Sequence, residues 1–386
     1  MLTTLAVQNY RTLRDVVISL RQLNLITGSN GSGKSNIYKA LRLLAETAQG
    51  GVISSLAREG GLASTLWAGP ETVSRAMRRG EVPIQGNRRS KPISLALGFV
   101  GSEFGYSIDL GLPPPSSSAF SLDPVIKSEY VWAGPKPRPA AMLVERHGAV
   151  VRARNDNGDW QIIHDKVAGF DSILSQLSDP RRMPELSALR EQIRTWRFYD
   201  HFRTDSAAPA RMPQIGTHTP VLGHDGSDLA AALQTIREIG DAAALDAAVD
   251  DAFPGAALEI ESRDGRFEVA MRQPGLLRPL KSVELSDGTL RYLLWIAALL
   301  SPRPPELLVL NEPETSLHPD LLPALGRLIA QAAKHSQVFV VSHASRLIAA
   351  LEEKDCLSMT LEKVLGETSV VGCGELDRPS WHWATR

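Results

Sequence analysis

Cysteine is almost missing from this chain: Cys356 and Cys373 are the two thiols in 386 residues. Two cysteines cannot build a disulfide framework, and neither stands in a Cys-x-x-Cys or Cys/His zinc spacing, so a reducing, cytoplasmic setting is expected. An excess of one charge is missing as well. The 42 Lys and Arg nearly cancel the 43 Asp and Glu, for a net charge of −1. That balance excludes nucleic-acid binding by bulk charge and leaves local basic patches as the route to such a partner. Long apolar runs are absent: the longest, Leu293 to Leu300, is far short of the roughly 18 residues that a membrane span needs. The first residues lack the basic region and apolar stretch of a secretory signal, so no membrane partner is expected. No heptad repeat is sustained, which excludes a long coiled coil, and no internal repeat is visible.

What is present is 43% hydrophobic residues, 30 Gly and 25 Pro, enough for a sizeable core in two or three structural units. Leu2 to Val7, Val16 to Leu20 and Leu23 to Thr27 read as strands. A glycine-rich turn follows the third of them, and Ile37, Ala40, Leu41, Leu44 and Ala48 then share one helical face until Gly50-Gly51. Residues from about 52 to 220 are less regular, with alternating segments at Ile93 to Val100 and Tyr106 to Leu110. A hairpin is expected from Met142 to Ile163, turning at 155–158. Helices are expected over Leu186 to Trp196, Asp228 to Ile239 and Ala242 to Phe253. After Leu285 strand and helix alternate: helix from about Thr289, strand Leu307 to Leu310, helix Leu321 to Ala333, strand Val338 to Val341, helix Ser345 to Glu352. Such alternation argues for a largely parallel sheet covered by helices. Residues 1–51 and 280–386 are therefore expected to form one discontinuous α/β core, with 52–279 inserted as a β-rich and helical lobe.

Gly28-x-x-x-x-Gly33-Lys34-Ser35 lies after a strand and before a helix, which is the context a P-loop requires. Backbone N–H groups of Asn30, Gly31, Ser32, Gly33, Lys34, Ser35 and Asn36 can close around phosphates at a helix N-terminus. Lys34 reaches the β and γ phosphates, and the Ser35 hydroxyl ligates Mg²⁺. ATP and Mg²⁺ are the expected cofactors. Leu307-Leu-Val-Leu310 ends in Asn311-Glu312, where an open α/β sheet projects its catalytic groups, and it resembles a Walker B motif. The motif usually has Asp first; Asn311 can hydrogen-bond a metal-bound water but brings no charge, so weak Mg²⁺ affinity or slow turnover is expected. Glu312 is the candidate general base, a role worth about a hundredfold to ten-thousandfold.

Leu285-Ser286-Asp287-Gly288-Thr289, upstream of that strand, resembles the signature motif of ABC-type ATPases, in which Ser286 and Gly288 would contact the γ-phosphate held by another subunit. Ser342-His343 resembles the switch histidine, and Thr315-Ser-Leu-His-Pro319 the subunit-contacting D-loop. Together with Val7-Gln-Asn-Tyr-Arg-Thr-Leu13 and Gly-Lys-Ser-Asn36, these motifs resemble the RecF/SMC-like and OLD-like ATPases of the ABC-type P-loop class over about residues 1–50 and 280–350. The resemblance implies an ABC-type head that hydrolyses ATP as a nucleotide-sandwich homodimer. It places Glu312, Lys34 and His343 in catalysis and Arg11 near the nucleotide. With 43 residues after His343, no C-terminal nuclease domain is expected.

Two segments are locally basic. Residues 75–91 carry six cations against Glu81, and residues 181–211 carry seven Arg against four acids. Either could follow a phosphate backbone or be a solvated charged face. His201, His218 and His224 lie near acids without metal-ligand spacing. Two roles follow: an ATPase of DNA metabolism or repair, with DNA on the basic segments, or a switch subunit controlling a separate effector protein, as in phage defence.

Overall fold

The computed structural model of the chain describes residues 1–71, 75–79, 81, 93–155, 157–177, 179–374 and 377–383. Contacts divide it into two units. One comprises Met1–Arg21, Thr27–Thr195 and Met359–Arg386, the other Gln22–Ile26 and Trp196–Ser358. The chain passes from the second to the first inside one strand, Leu23–Gly28, between Ile26 and Thr27.

The first unit is built on an eight-stranded sheet. Its order is Leu13–Ser19, Leu2–Tyr10, Leu95–Gly101, Phe104–Gly111, Val125–Ala133, Met142–His147, Val150–Arg154, Trp160–His164. Every neighbouring pair is antiparallel. Of the two N-terminal strands, grouped by sequence with the α/β core, Leu2–Tyr10 thus hydrogen-bonds to Leu95–Gly101 of the β-rich segment, and Leu13–Ser19 joins the sheet through it. The expected hairpin from Met142 to Ile163 is three strands. The chain turns first at Gly148, φ 60°, and again after Asn155, whose Oδ1 accepts from the N–H of Asn157 at 3.0 Å and of Asp159 at 2.9 Å. Alternation along Met142–His147 turns Arg146 inward, where Glu129 meets it at 2.9 Å with both side chains fully buried. Such a pair is tolerable only when its other groups are satisfied. Here Glu129 also accepts from Tyr106 Oη at 2.7 Å and Ser172 Oγ at 2.5 Å, while Arg146 donates to Gly148 O and Ala168 O.

Helix Lys34–Thr47 buries Ile37, Leu41 and Leu44, as its period requires. Near the C-terminus Leu357–Val364 and Glu367–Val370 form an antiparallel hairpin.

In the second unit four strands run parallel in the order Arg197–Tyr199, Leu307–Asn311, Gln337–Val341 and the Leu23–Ile26 part of Leu23–Gly28. Leu307–Leu310 and all of Gln337–Val341 are buried, as expected of strands covered on both faces. Helices Leu229–Ile239, Asp287–Leu299, Leu322–Ala332 and Ser345–Glu352 contribute to one core with Leu25, Leu308, Leu310 and Val340. Asp287–Leu299 is buried at every position from Leu290 to Leu299, so it is the central helix of this layer. Among the described residues no helix is long and apolar enough to cross a membrane.

Candidate active site

The first unit holds the glycine-rich loop. Gly28, Gly31 and Gly33 have φ of 140°, 79° and 107°, values that L side chains rarely adopt. A Cβ on Gly28 would lie 2.4 Å from Leu361 O, and one on Gly33 would lie 2.2 Å from Thr368 Oγ1. Both glycines are therefore fixed by packing as well as by conformation. Thr368 clamps the loop from behind: its hydroxyl donates to Ser32 O at 2.8 Å and lies 2.7 Å from Thr12 Oγ1, which accepts from Asn36 Nδ2 at 2.8 Å. Gly33 gives helix Lys34–Thr47 no side-chain cap, so its first-turn N–H groups keep their capacity for an anion. Lys34 is 5% exposed, and its Nζ donates to Gly28 O at 2.6 Å and Ser29 O at 3.0 Å. Asn30, Gly31 and Ser35 are exposed on the same loop.

Arg11 precedes Thr12 and is itself paired with Glu59. Its guanidinium donates through Nη2 at 2.7 Å and Nε at 3.1 Å to Glu59 Oε2, and Tyr10 Oη donates to the same carboxylate. Burial, reinforced by Glu59, pushes the Tyr10 phenol well above its ordinary range.

In the second unit the carboxyl ends of three adjacent parallel strands carry Asp200, Asn311-Glu312 and Ser342-His343. Glu312 has φ 49°, and its N–H donates to Val341 O at 2.8 Å, so the residue is fixed in a left-handed conformation at the strand end. His343 Nδ1 lies 3.8 Å from Glu312 Oε1 and 3.4 Å from Glu314 Oε1. Glu312 and His343 are open to solvent at 39% and 53%, whereas Glu314 is buried. Glu314 Oε1 accepts from Ser342 Oγ at 2.7 Å, His343 N at 2.9 Å and Ala344 N at 3.2 Å. It holds the backbone that presents the histidine. Asn311 Nδ2 donates to Asp200 Oδ1 at 2.6 Å.

The signature segment lies in the same unit. Ser286 caps helix Asp287–Leu299, accepting from Thr289 N at 3.1 Å, and both Ser286 and Asp287 are exposed. Gly288 is needed for proximity: a Cβ there would stand 3.3 Å from Ser316 O of the D-loop, and Ser316 itself has φ 61°. Buried Arg211 organises the approach to the helix, donating to Thr204 O at 2.9 Å, Ser282 O and Leu285 O at 2.8 Å and Asp287 Oδ1 at 2.7 Å.

Arg211 is one of the seven arginines that made residues 181–211 look basic. In this segment Arg203 is also paired, with Asp205 at 2.9 Å, and Arg194 with Glu191 at 3.0 Å. Arg181 and Arg182 are exposed. Most of the other segment, including Arg88, Arg89 and Lys91, lies outside the described residues; Arg79 faces Glu81 at 3.7 Å. Glu314, Asp200, Arg211 and Thr368 were not picked out by sequence. Glu314 stands inside the Asn-Glu-Pro-Glu run, the other three outside every motif.

A glycine-fixed loop with the P-loop pattern, a strand-end carboxylate and an exposed serine-capped helix are the parts expected of an ABC-type P-loop ATPase. Residues 151–349 match the family described as "AAA domain, putative AbiEii toxin, Type IV TA system", and residues 1–85 match "AAA ATPase domain". The chain belongs to the first of these families. No curated protein matches it. Among solved structures it is similar to an SMC head bound to the C-winged helix domain of ScpA, 13% identical over 96% of this chain and 97% of that one, with TM-score 0.50. The SMC head domain from Thermotoga maritima is 16% identical over 96% and 98%, TM-score 0.44. An Smc head from Pyrococcus furiosus, with an extended coiled coil and bound to the C-terminal domain of ScpA, is 12% identical over 96% and 95%, TM-score 0.48.

Proposed function

We propose that this protein binds and hydrolyses ATP as a nucleotide-sandwich homodimer, and that the ATP state switches a separate protein. The observation that carries the reading is the uncapped N-terminus of helix Lys34–Thr47 with the Lys34 ammonium folded over its own loop. That donor set fits a triphosphate. Backbone N–H groups would hold the phosphate oxygens, and Lys34 would neutralise them. Ser35, exposed in the first turn, is the candidate Mg²⁺ ligand of the first unit, and Asn311 is that of the second. The metal supplies charge neutralisation of the phosphates when bound. Among the described residues no group of three or more His, Cys, Asp or Glu could hold a metal alone, which suits an ion bound largely through phosphates and water.

Glu312, on a strained strand-end backbone, would take the proton of the attacking water. His343, beside Glu312 at the strand end, would donate a hydrogen bond to a γ-phosphate. The dimer part of the reading is supported by Ser286, which is exposed on a formed cap and available to a second copy's nucleotide. Exchange of Lys34→Ala is expected to abolish ATP turnover, and Glu312→Gln to lower it at least about a hundredfold while doubling the mass seen by light scattering in saturating ATP. Turnover intact in Lys34→Ala, or a monomer in ATP-loaded Glu312→Gln, refutes this reading.

The switch role is supported by the description of the matching family, which concerns a toxin–antitoxin system, and by the internal use of Arg211, Arg203 and Arg194. A role in DNA metabolism would appear as ATPase activity stimulated by DNA and falling steeply with salt. A co-purifying protein released by ATP, without response to DNA, is the expected result.

A further inference from the structure

Resting on the ATPase reading above, we propose that Asp200 supplies the negative charge that Asn311 lacks. The two residues would act as one strand-end unit, with Asp200 as a positioning residue for the Asn311 amide. Strand Arg197–Tyr199 pairs in parallel with Leu308–Leu310, so Asp200 and Asn311 are the next residues on each strand, at the end of the sheet where α/β proteins place their chemistry. The 2.6 Å bond from Asn311 Nδ2 to Asp200 Oδ1 is a short, charge-assisted one. It engages one N–H of the amide and orients Oδ1 as an acceptor. That oxygen is shielded from solvent and has no hydrogen-bond partner within the described residues, a cost that a bound group would remove.

Neither end of the pair is free to swing. Beyond Asp200 the chain is pinned by Arg291 Nη2, which donates to Phe202 O at 2.8 Å, and by Arg211 Nε, which donates to Thr204 O at 2.9 Å. Beyond Asn311 it is fixed by the Glu312 N–H bond to Val341 O. The pair therefore carries one charge and one amide, as an Asp with a neutral neighbour would, with the charge on the other strand.

This arrangement gives Asn311→Asp a cost. With Asp200 in place, that substitution sets two carboxylates in register where a donor met an acceptor, and like charges so placed destabilise a sheet. The exchange of both residues, Asp200→Asn with Asn311→Asp, restores one charge and one hydrogen bond with the roles reversed.

The test compares wild type, D200N, N311D and the double variant in two measurements. Thermal unfolding without nucleotide or metal reads the pair alone. N311D should melt lower than wild type by about 3 °C, a shift readily measured in a protein of this size, and the double variant should recover most of the loss. ATP turnover against Mg²⁺ concentration reads the charge. D200N should raise the Mg²⁺ needed for half-maximal turnover about tenfold, a modest value for one charge near a divalent ion at an open site, with recovery in the double variant. Equal melting of N311D and the double variant overturns the pairing, and an unchanged Mg²⁺ requirement in D200N overturns the assignment of charge. If wild type has no Lys34-dependent turnover, the ATPase reading fails, while the melting cycle still decides whether the pair exists.

Discussion

Glu314 offers the sharpest stability test in the second unit. Its Oε1 accepts three hydrogen bonds within 3.2 Å, two of them from the backbone N–H groups of His343 and Ala344, and the side chain is buried. Removing it as Glu314→Ala strips those donors of their acceptor. Hydrogen bonds to a charged group are each worth about 1.5 to 3 kcal/mol. Because His343 is half exposed, water can replace part of that, and a net loss of about 3 kcal/mol is the reasonable expectation. At about 2 to 4 °C for each kcal/mol in a cooperative unit of 150 to 250 residues, this corresponds to melting lower by about 6 to 12 °C. Glu314→Gln keeps an acceptor oxygen at the same place, and its loss should be about 1 kcal/mol. The assay is thermal unfolding followed by circular dichroism in nucleotide-free buffer, with ATP turnover measured alongside. Since Glu314 orders the His343 backbone, Ala should also lower turnover more than Gln does. Melting of Glu314→Ala within about 2 °C of wild type would refute the reasoning, because the unit would then not rely on these bonds.

Two other substitutions probe the loop and the signature. Gly33→Ala must place a methyl 2.2 Å from Thr368 Oγ1 at φ 107°, so it should lose about 2 kcal/mol or more of stability and weaken ATP binding at least tenfold by equilibrium titration; wild-type affinity would contradict the clamp. Arg211→Met leaves the carbonyls of Thr204, Ser282 and Leu285 without their donor. It should cost about 3 kcal/mol in thermal unfolding and reduce ATP-driven dimerisation seen by light scattering, with Arg211→Lys only partly restoring either, since one ammonium cannot reach all four acceptors.

The parts of the site that were legible in sequence are those whose cause is local. Gly28, Gly31 and Gly33 are glycines because the backbone turns left-handed there, and helix Lys34–Thr47 announces itself by its period. Helices Leu229–Ile239 and Ser345–Glu352 fall where the apolar spacing put them. What could not be read depends on partners far along the chain. Thr12 meets Thr368 across 356 positions and Asn311 meets Asp200 across 111, and neither Thr368 nor Asp200 stands in a motif. The hairpin Leu357–Val364 to Glu367–Val370 was missed for another reason. It turns on Leu365 and Gly366, both at positive φ, and a leucine at the first turn position hides the usual Asn-Gly signal. Asn311 reads as a deficient metal ligand because a sequence shows the missing charge and not Asp200, the carboxylate that accepts from its amide.

The threonine behind the glycine-rich loop has a practical bearing on anyone shortening this protein. A clone ending after helix Ser345–Glu352 would retain every motif named above, yet it would discard Thr368, which donates to Ser32 O and fills the space beside Gly33. Such a clone would leave the glycine-rich loop without its backing, so the last strand belongs inside any expression boundary.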